Sequence, residues 1–350
     1  MILWWSGAAF LHGLVGSVTG LGVARFLLGL GEGGGFPGSA KAVSEWFPAK
    51  ERSFAFGIFN TGSSVGAVAA PPLIAAIVLW LGWPWVFYLT GLAGFAWALI
   101  WLPLYDVPAR HKLITATERE YLHSSLHSPE PRTQAGPGPV IRWVDLFRYR
   151  QVWGLLAAKF LSDSAWYFFI FWLPKYLGDV RHLDIKQIGY YAWIPYAFAG
   201  AGSFIGGWLS SYLIKRNLTV DRSRKIALGI SAAMMPASLL IAASPLSLAI
   251  AFFSMALCGH QFWSTIMQTL AADIFPSRVV GSVAGSMGAV GSFGAMLFNG
   301  LAGVLLTRYQ SYSTVFLIAG LLHPISFVIL LLVVGRIEPV TDRVTASRVK

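Results

Sequence analysis

The chain has 350 residues, of which 56% are hydrophobic and 12% charged, with a net charge of +11. Soluble domains carry about 25% charged residues, so one globular core cannot absorb this apolar surface and lipid must solvate much of it. The single cysteine, Cys258, excludes an intramolecular disulfide framework and cysteine-based metal sites.

A membrane-spanning helix needs about 20 mostly apolar residues. Ten stretches qualify: 2–20, 22–46, 53–81, 85–105, 152–177, 188–213, 226–243, 246–272, 279–305 and 313–334. Short breaks such as Gly82-Trp83-Pro84 and Ser244-Pro245 separate most of them. The exception runs from Asp106 to Gln151, where Pro129, Pro131, Pro137 and Pro139 with Gly136 and Gly138 mark a linker. The predicted organisation is a four-helix bundle over 1–105, a linker over 106–151, a six-helix bundle over 152–334 and a tail over 335–350. Met1-Ile2-Leu3-Trp4-Trp5 enters an apolar run without the basic leader or cleavage site of a signal peptide.

Lysine and arginine orient these spans. Counting alternate loops, 19 of the 26 fall on the side that holds the linker, the 215–225 loop and both termini. Four lie on the other side (Lys175, Arg181, Lys186, Arg308), and Arg25, Lys41 and Lys159 lie within spans. Basic loops stay in the cytoplasm, so the linker and both termini are expected there. The basic excess thus faces anionic lipid, and no nucleic-acid partner is expected.

The sequence repeats at an offset of 228 residues. Glu45-Trp46-Phe47-Pro48 lies over Asp273-Ile274-Phe275-Pro276, Gly57 over Gly285, Ser64 over Ser292 and Gly66-Ala67 over Gly294-Ala295. This pairs the second-to-third helix connection with the eighth-to-ninth, so the repeat unit is six parallel-oriented helices. Such halves are a transporter construction with the substrate site near mid-membrane. Only four helices precede the linker, so two more are expected in front, and these 350 residues alone are not expected to transport. Every intramembrane Lys, Arg, Asp or Glu falls on the second helix (Arg25, Glu32, Lys41, Glu45), the fifth (Lys159, Asp163) or the eighth (Asp273), and His260 is also on the eighth. Helices three apart are expected to line one polar cavity, since charges inside spans default to functional roles.

The run Arg25-Phe26-Leu27-Leu28-Gly29-Leu30-Gly31-Glu32-Gly33-Gly34, continuing to Glu45-Trp46-Phe47-Pro48, resembles the major facilitator superfamily and, within it, the anion:cation symporters. Lys159-Phe160, Asp163, Phe171-Trp172-Leu173-Pro174-Lys175-Tyr176-Leu177, His260-Gln261 and Trp263-Ser264 are most similar to bacterial hexuronate permeases. The resemblance covers nearly the whole chain. It implies an all-α membrane protein of twelve helices in two pseudo-symmetric bundles, the ten here matching the third to the twelfth. It also implies alternating access and proton-coupled uptake of a sugar acid. Two positions depart from the pattern: Ser211 stands where an acid or glycine is expected, and Ile266 where an asparagine is expected.

Glu32 is the sharpest candidate, as a proton carrier whose carboxyl lies deep in its span; the alternative is a permanently protonated acid bonded to a neighbour. Its repeat mate is His260, either a second proton-coupling group or a satisfied core histidine. Arg25, two turns before Glu32, can hold a carboxylate bidentately, or it can snorkel from near the outer end. Lys41 and Glu45 suit an interfacial pair or gate. Lys159 and Asp163 (i, i+4) either neutralise each other or serve substrate and proton. Asn60, Gln261, Trp263 and Asn299 offer hydrogen bonds and a stacking face to a hydroxylated ring, or merely join helices. Gly29-Leu30-Gly31-Glu32-Gly33-Gly34 fits GxGxxG but follows no strand, so close helix packing is the better account. No metal, cofactor or enzymatic activity is expected.

The leading reading is a monomeric proton-coupled symporter of an organic anion, a hexuronate above all, in the bacterial inner membrane. The alternatives are an aldonate, aldarate or aromatic acid as substrate, exchange without protons, or an inactive truncated membrane fragment. Reporter fusions after Arg132 and at the C-terminus should be active only in the cytoplasm; a periplasmic signal from either overturns the charge-based orientation.

Overall fold

In hydrocarbon the backbone has no water to bond, so its N–H and C=O groups close within helices. A computed structural model of the chain describes residues 1–33, 35, 42, 46–47, 49–108, 110–127, 143–275 and 277–340, without the side chains of 49–61, 63–64, 123–127, 143 and 277–278. Among these residues all regular structure is helical. The chain divides into two units, Met1–Gly136 and Pro137–Lys350.

The first unit holds α1 (Ile2–His12), α2 (Val18–Glu32), α3 (Ala49–Leu81), α4 (Pro84–Leu104) and α5 (Ala116–His127). The sequence predicts one helix over 2–20, but the structure breaks it after His12. Gly13 and Gly16 are poor helix formers. The Tyr88 hydroxyl donates to the Gly13 carbonyl at 2.7 Å, and Ser17 starts the next helix by accepting the Gly20 N–H. Glycine also brings α1 close to its neighbours. A Cβ on Gly31 would sit 2.8 Å from Trp5 Cβ, and one on Gly91 2.9 Å from Phe10 Cβ. The Trp4 indole adds a hydrogen bond to the Leu27 carbonyl. α3 runs through Pro71 and Pro72, which membrane helices tolerate. α5 falls in the stretch predicted as linker. Its cap is Thr115, whose hydroxyl accepts the Glu118 N–H, and Ala116, Glu118, Glu120 and Leu122 are good helix formers.

The second unit holds α6 (Arg150–Asp179), α7 (Ile185–Lys215), α8 (Val220–Met234) with a 3₁₀ extension (Met235–Leu240), α9 (Leu246–Ile274), α10 (Ser277–Tyr309) and α11 (Tyr312–Ile329) with a π turn (Leu330–Val334). Asp184 and Gln187 form a reciprocal capping box at the start of α7. One core cluster gathers Leu155, Trp263, Ile266, Met267, Leu270 and Val283; the other is aromatic, with Phe168, Phe169, Tyr176, Phe253 and Phe316. Next to the aromatic cluster, Arg181 ties down the loop after the 3₁₀ segment. Its guanidinium donates to the Tyr176 hydroxyl and to the carbonyls of Ile241 and Ser244.

Four helices among the described residues are long and apolar enough to cross a bilayer by length and composition alone: Pro84–Leu104, Leu246–Ile274, Val279–Tyr309 and Tyr312–Val334. Four of the other helices fall short for visible reasons. α1, α2 and α8 are at most 15 residues long, and α6 carries Lys159, Asp163, Lys175 and Asp179.

After Gly335, with φ of 71°, the chain folds back across the ends of α8 and α9. The Ile337 N–H donates to Asp221 Oδ1 at 2.8 Å, the Val340 N–H donates to the Ile274 carbonyl, and Ile337 is buried. Burial alone would raise the Asp221 carboxyl. The Ile337 N–H, the Lys225 ammonium at 2.7 Å and the charge of Arg336 outweigh it and hold the carboxyl below its usual range. A carboxyl depressed in the folded state stabilises above its unfolded pKa, and that contribution is lost as pH falls through the folded value. Asp221→Asn should therefore cost about 1–2 kcal/mol at neutral pH and speed amide exchange at Ile337. The gap in Tm between variant and parent should close below about pH 4; a gap independent of pH would remove the charge from this account.

Candidate functional site

In the first unit, α2 begins at Val18, four residues before the predicted start. At 1.5 Å per residue, Arg25 lies about 10 Å and Glu32 about 21 Å along the helix. Gly31 faces α1, while Arg25 and Glu32 are both exposed, and neither has an ion-pair partner among the described residues. Lys41 and Glu45 lie outside the described residues, as does the side chain of Asn60, whose backbone is within α3.

In the second unit, Lys159 Nζ and Asp163 Oδ1 on α6 are 2.8 Å apart, with both side chains largely buried. Gly291 of α10 covers the pair: a Cβ there would lie 2.9 Å from Asp163 Cγ. The lipid-shielded charges therefore neutralise each other across one helical turn. Asp273, at the end of α9, is bound at 2.8 Å by Arg224 of α8, whose guanidinium also donates to the Ser210 hydroxyl of α7. This joins three helices at one end of the bundle. Ser210 stands next to the divergent Ser211.

His260 on α9 is brought to two residues that the sequence reading did not single out. Its Nδ1 is 3.0 Å from Nε2 of His323 on α11, and its ring stacks on Trp166 of α6 at 4.6 Å with an interplanar angle of 13°. His323 is the seventh histidine in the chain and sits in an apolar helix. A survey of intramembrane histidines, alongside the other charged types, would have marked it. Its partnership with a residue 63 positions away is visible only in the fold.

The remaining candidates separate. Trp263 is fully buried beside His323, so protein covers its faces, and its indole N–H has no partner among the described residues. Gln261, half-buried, offers its side chain next to a backbone carbonyl that accepts from Thr265. Asn299 on α10 is engaged, accepting from the Trp172 indole at 2.9 Å and donating to the Ala295 carbonyl. Ile266 is fully buried in the core cluster, where an asparagine amide would need partners of its own. Among the described residues no group of three His, Cys, Asp or Glu side chains is placed to hold a metal.

The family model of the Major Facilitator Superfamily matches residues 1–298 and 217–349. The chain is 35% identical over 296 residues to the hexuronate transporter of Escherichia coli (strain K12), covering 83% of this chain and 67% of that protein. It is 37% identical over 249 residues to the galacturonate transporter of Dickeya chrysanthemi, covering 70% of each. Among solved structures, it superimposes with a TM-score of 0.62 at 18% identity on an inward-facing bacterial homologue of the human lysosomal transporter Spinster, covering 95% of this chain and 79% of that one. A family match along both units, and relatives above 30% identity over two thirds of their length, identify the chain as a multi-pass membrane protein that belongs to the major facilitator superfamily.

Proposed function

We propose that the protein, as its natural gene encodes it, carries a small sugar-acid anion, a hexuronate above all, across a bacterial inner membrane by alternating access, driven by proton entry. The likeness to the hexuronate and galacturonate transporters carries this reading. The side chains supply chemistry that suits it. Arg25 on α2 is a guanidinium well inside its helix with no ion pair among the described residues, fit to grip a carboxylate with two parallel hydrogen bonds. Glu32 two turns on, with no ion pair among the described residues, is a carboxyl that can take a proton when the substrate is bound and release it on the other side. In the second unit Asp163 is committed to Lys159 and would exchange its proton only as that pair opens. The Gln261 amide adds neutral hydrogen bonds for sugar hydroxyls. The protein works as a monomer, with linker and both termini in the cytoplasm, where most of its lysines and arginines fall.

A second reading, in which the anion is an aldonate or aldarate, is favoured by Ile266, which stands where the hexuronate pattern has an amide. Competition separates the two. In cells lacking their own sugar-acid permeases and expressing the protein from its natural gene, labelled glucuronate and galacturonate should accumulate in a protonophore-sensitive way. Unlabelled galactonate or galactarate should compete weakly. Preferential competition by those acids moves the assignment to the second reading, and no uptake of any of them overturns both.

Glu32→Gln should abolish accumulation against a gradient while leaving exchange of bound anion partly intact, because an amide cannot release a proton. A Gln variant that still concentrates substrate removes Glu32 from the coupling. Arg25→Lys should weaken anion binding by about 2–5 kcal/mol, since an ammonium cannot reproduce a desolvated two-pronged contact. Near-normal affinity in that variant leaves Arg25 with no part in holding substrate.

A further inference from the structure

His260 is 2% exposed and His323 0%, so their 3.0 Å contact is made inside protein. Two neutral imidazoles share one hydrogen across such a contact, one ring donating and the other accepting. Nδ1 of His323 is then left without a hydrogen-bond partner among the described residues. In one tautomer it is an N–H with no acceptor, in the other a lone pair with no donor. Packing alone does not explain this. The same two helices place Phe253 and Phe316 in the neighbouring aromatic core, and a buried idle nitrogen beside that core calls for another role.

The surroundings of the couple are aromatic, with one cation in reach. Trp166 of α6 lies parallel against His260, and Trp263 lies beside His323 at 5.4 Å and 74°. Of the two, Trp166 presents its face to an imidazole, the arrangement that can stabilise an adjacent cation. The charged groups that reach the couple come from α6: the Lys159 ammonium acts on both rings, and Asp163 is bound to it. α8 approaches α9 at Gly259, next to the couple, with Ser231, Met234 and Met235, none of them charged. His260 also stands 228 residues after Glu32, at the equivalent place in the repeat. Even the local packing repeats, since Gly31 and Gly259 each seat their helix on the one before it.

We infer that His260 and His323 form one proton-binding site that takes up a single proton as a unit. In the neutral couple one N–H is shared. A proton from water added to the idle Nδ1 of His323 makes that ring an imidazolium with two N–H groups. Its Nε2–H donates to the lone pair of His260 Nδ1, and the bond becomes charge-assisted and stronger. One N–H bond forms on His323 and one O–H bond breaks in the hydronium ion that delivers the proton, which leaves as water. A second proton would set two N–H groups and two positive charges head to head, so the couple saturates at one and titrates as a pair. Protonation therefore tightens α9 against α11, and opening of the Lys159–Asp163 pair, by freeing the ammonium, opposes it. The site rests on the proton-coupled reading only for its use in transport, not for its existence.

The test is ¹⁵N NMR of the whole protein, labelled at histidine and reconstituted in lipid vesicles, followed across about pH 4–9. Two imidazoles should show nitrogen–nitrogen coupling through their hydrogen bond and change together in one step of one proton, with the coupling growing on protonation. His260→Gln and His323→Gln should each erase the partner's coupled signal. Rings that titrate independently, rings that both become imidazolium, or a couple that stays neutral throughout would overturn the inference. Labelled galacturonate uptake by the same vesicles separates the two proposals. Titration of the couple without uptake leaves the proton site standing and sinks the transport reading; uptake with a couple that never takes a proton does the reverse.

Discussion

A charged side chain inside a lipid-solvated helix must be neutralised by another side chain, because hydrocarbon supplies no water to do it. The second unit meets this constraint in two places. Lys159 and Asp163 meet across one turn of α6 under a glycine of α10, and Arg224 joins Asp273 and Ser210 from three helices. Removing one partner of such a buried pair costs about 3–5 kcal/mol, because the survivor keeps its charge and loses its counter-charge. Gly291 follows from the first pair: any side chain there would strike the Asp163 carboxylate. Thus a polar requirement on one helix dictates a small residue on the next.

Helix association in this fold otherwise rests on close contact rather than on expulsion of water, since lipid tails are as apolar as leucine. Small residues set the approach. Gly202 and Gly206 lay α7 on the backbone of α9 at Cys258 and Phe262, and Gly294 lays α10 on α6 at Phe160. Where contact is looser, aromatic rings fill the space, as in the Phe168, Tyr176, Phe253 and Phe316 cluster between α6, α9 and α11. Hydrogen bonds fasten the margins. Arg181 gathers carbonyls after the 3₁₀ segment, and the folded-back chain at Ile337 closes over Asp221.

The first unit presents the opposite case. Arg25 and Glu32 lie on α2 with no ion pair among the described residues. They have charge and proton-exchange capacity to offer a ligand, whereas Asp163 and Asp273 are already satisfied. The distinction between charges that hold the fold and charges free to meet a substrate is one of pairing. The couple of His260 and His323 stands between these cases, bonded to each other and still holding an empty nitrogen.

Most of the helix framework was legible in the sequence, because apolar length is what lipid demands and the demand is local. The spans at 53–81, 85–105, 152–177, 188–213, 246–272, 279–305 and 313–334 fall on helices whose ends differ by a few residues. The pairing of Lys159 with Asp163 was legible too, since i, i+4 spacing on a helix is geometry that sequence carries. The break after His12 was not, because Tyr88, 75 residues away, holds the Gly13 carbonyl out of the helix. Nor was the fate of the polar candidates. Trp263 and Gln261 are two residues apart, yet one is sealed in the core and the other half-exposed, and Asn299 is taken up by a tryptophan 127 residues away. His323 carried no local signal beyond its identity. Hydropathy and spacing act within a turn or a span; which side chains stay free depends on contacts between helices far apart in the chain, and those only the tertiary structure decides.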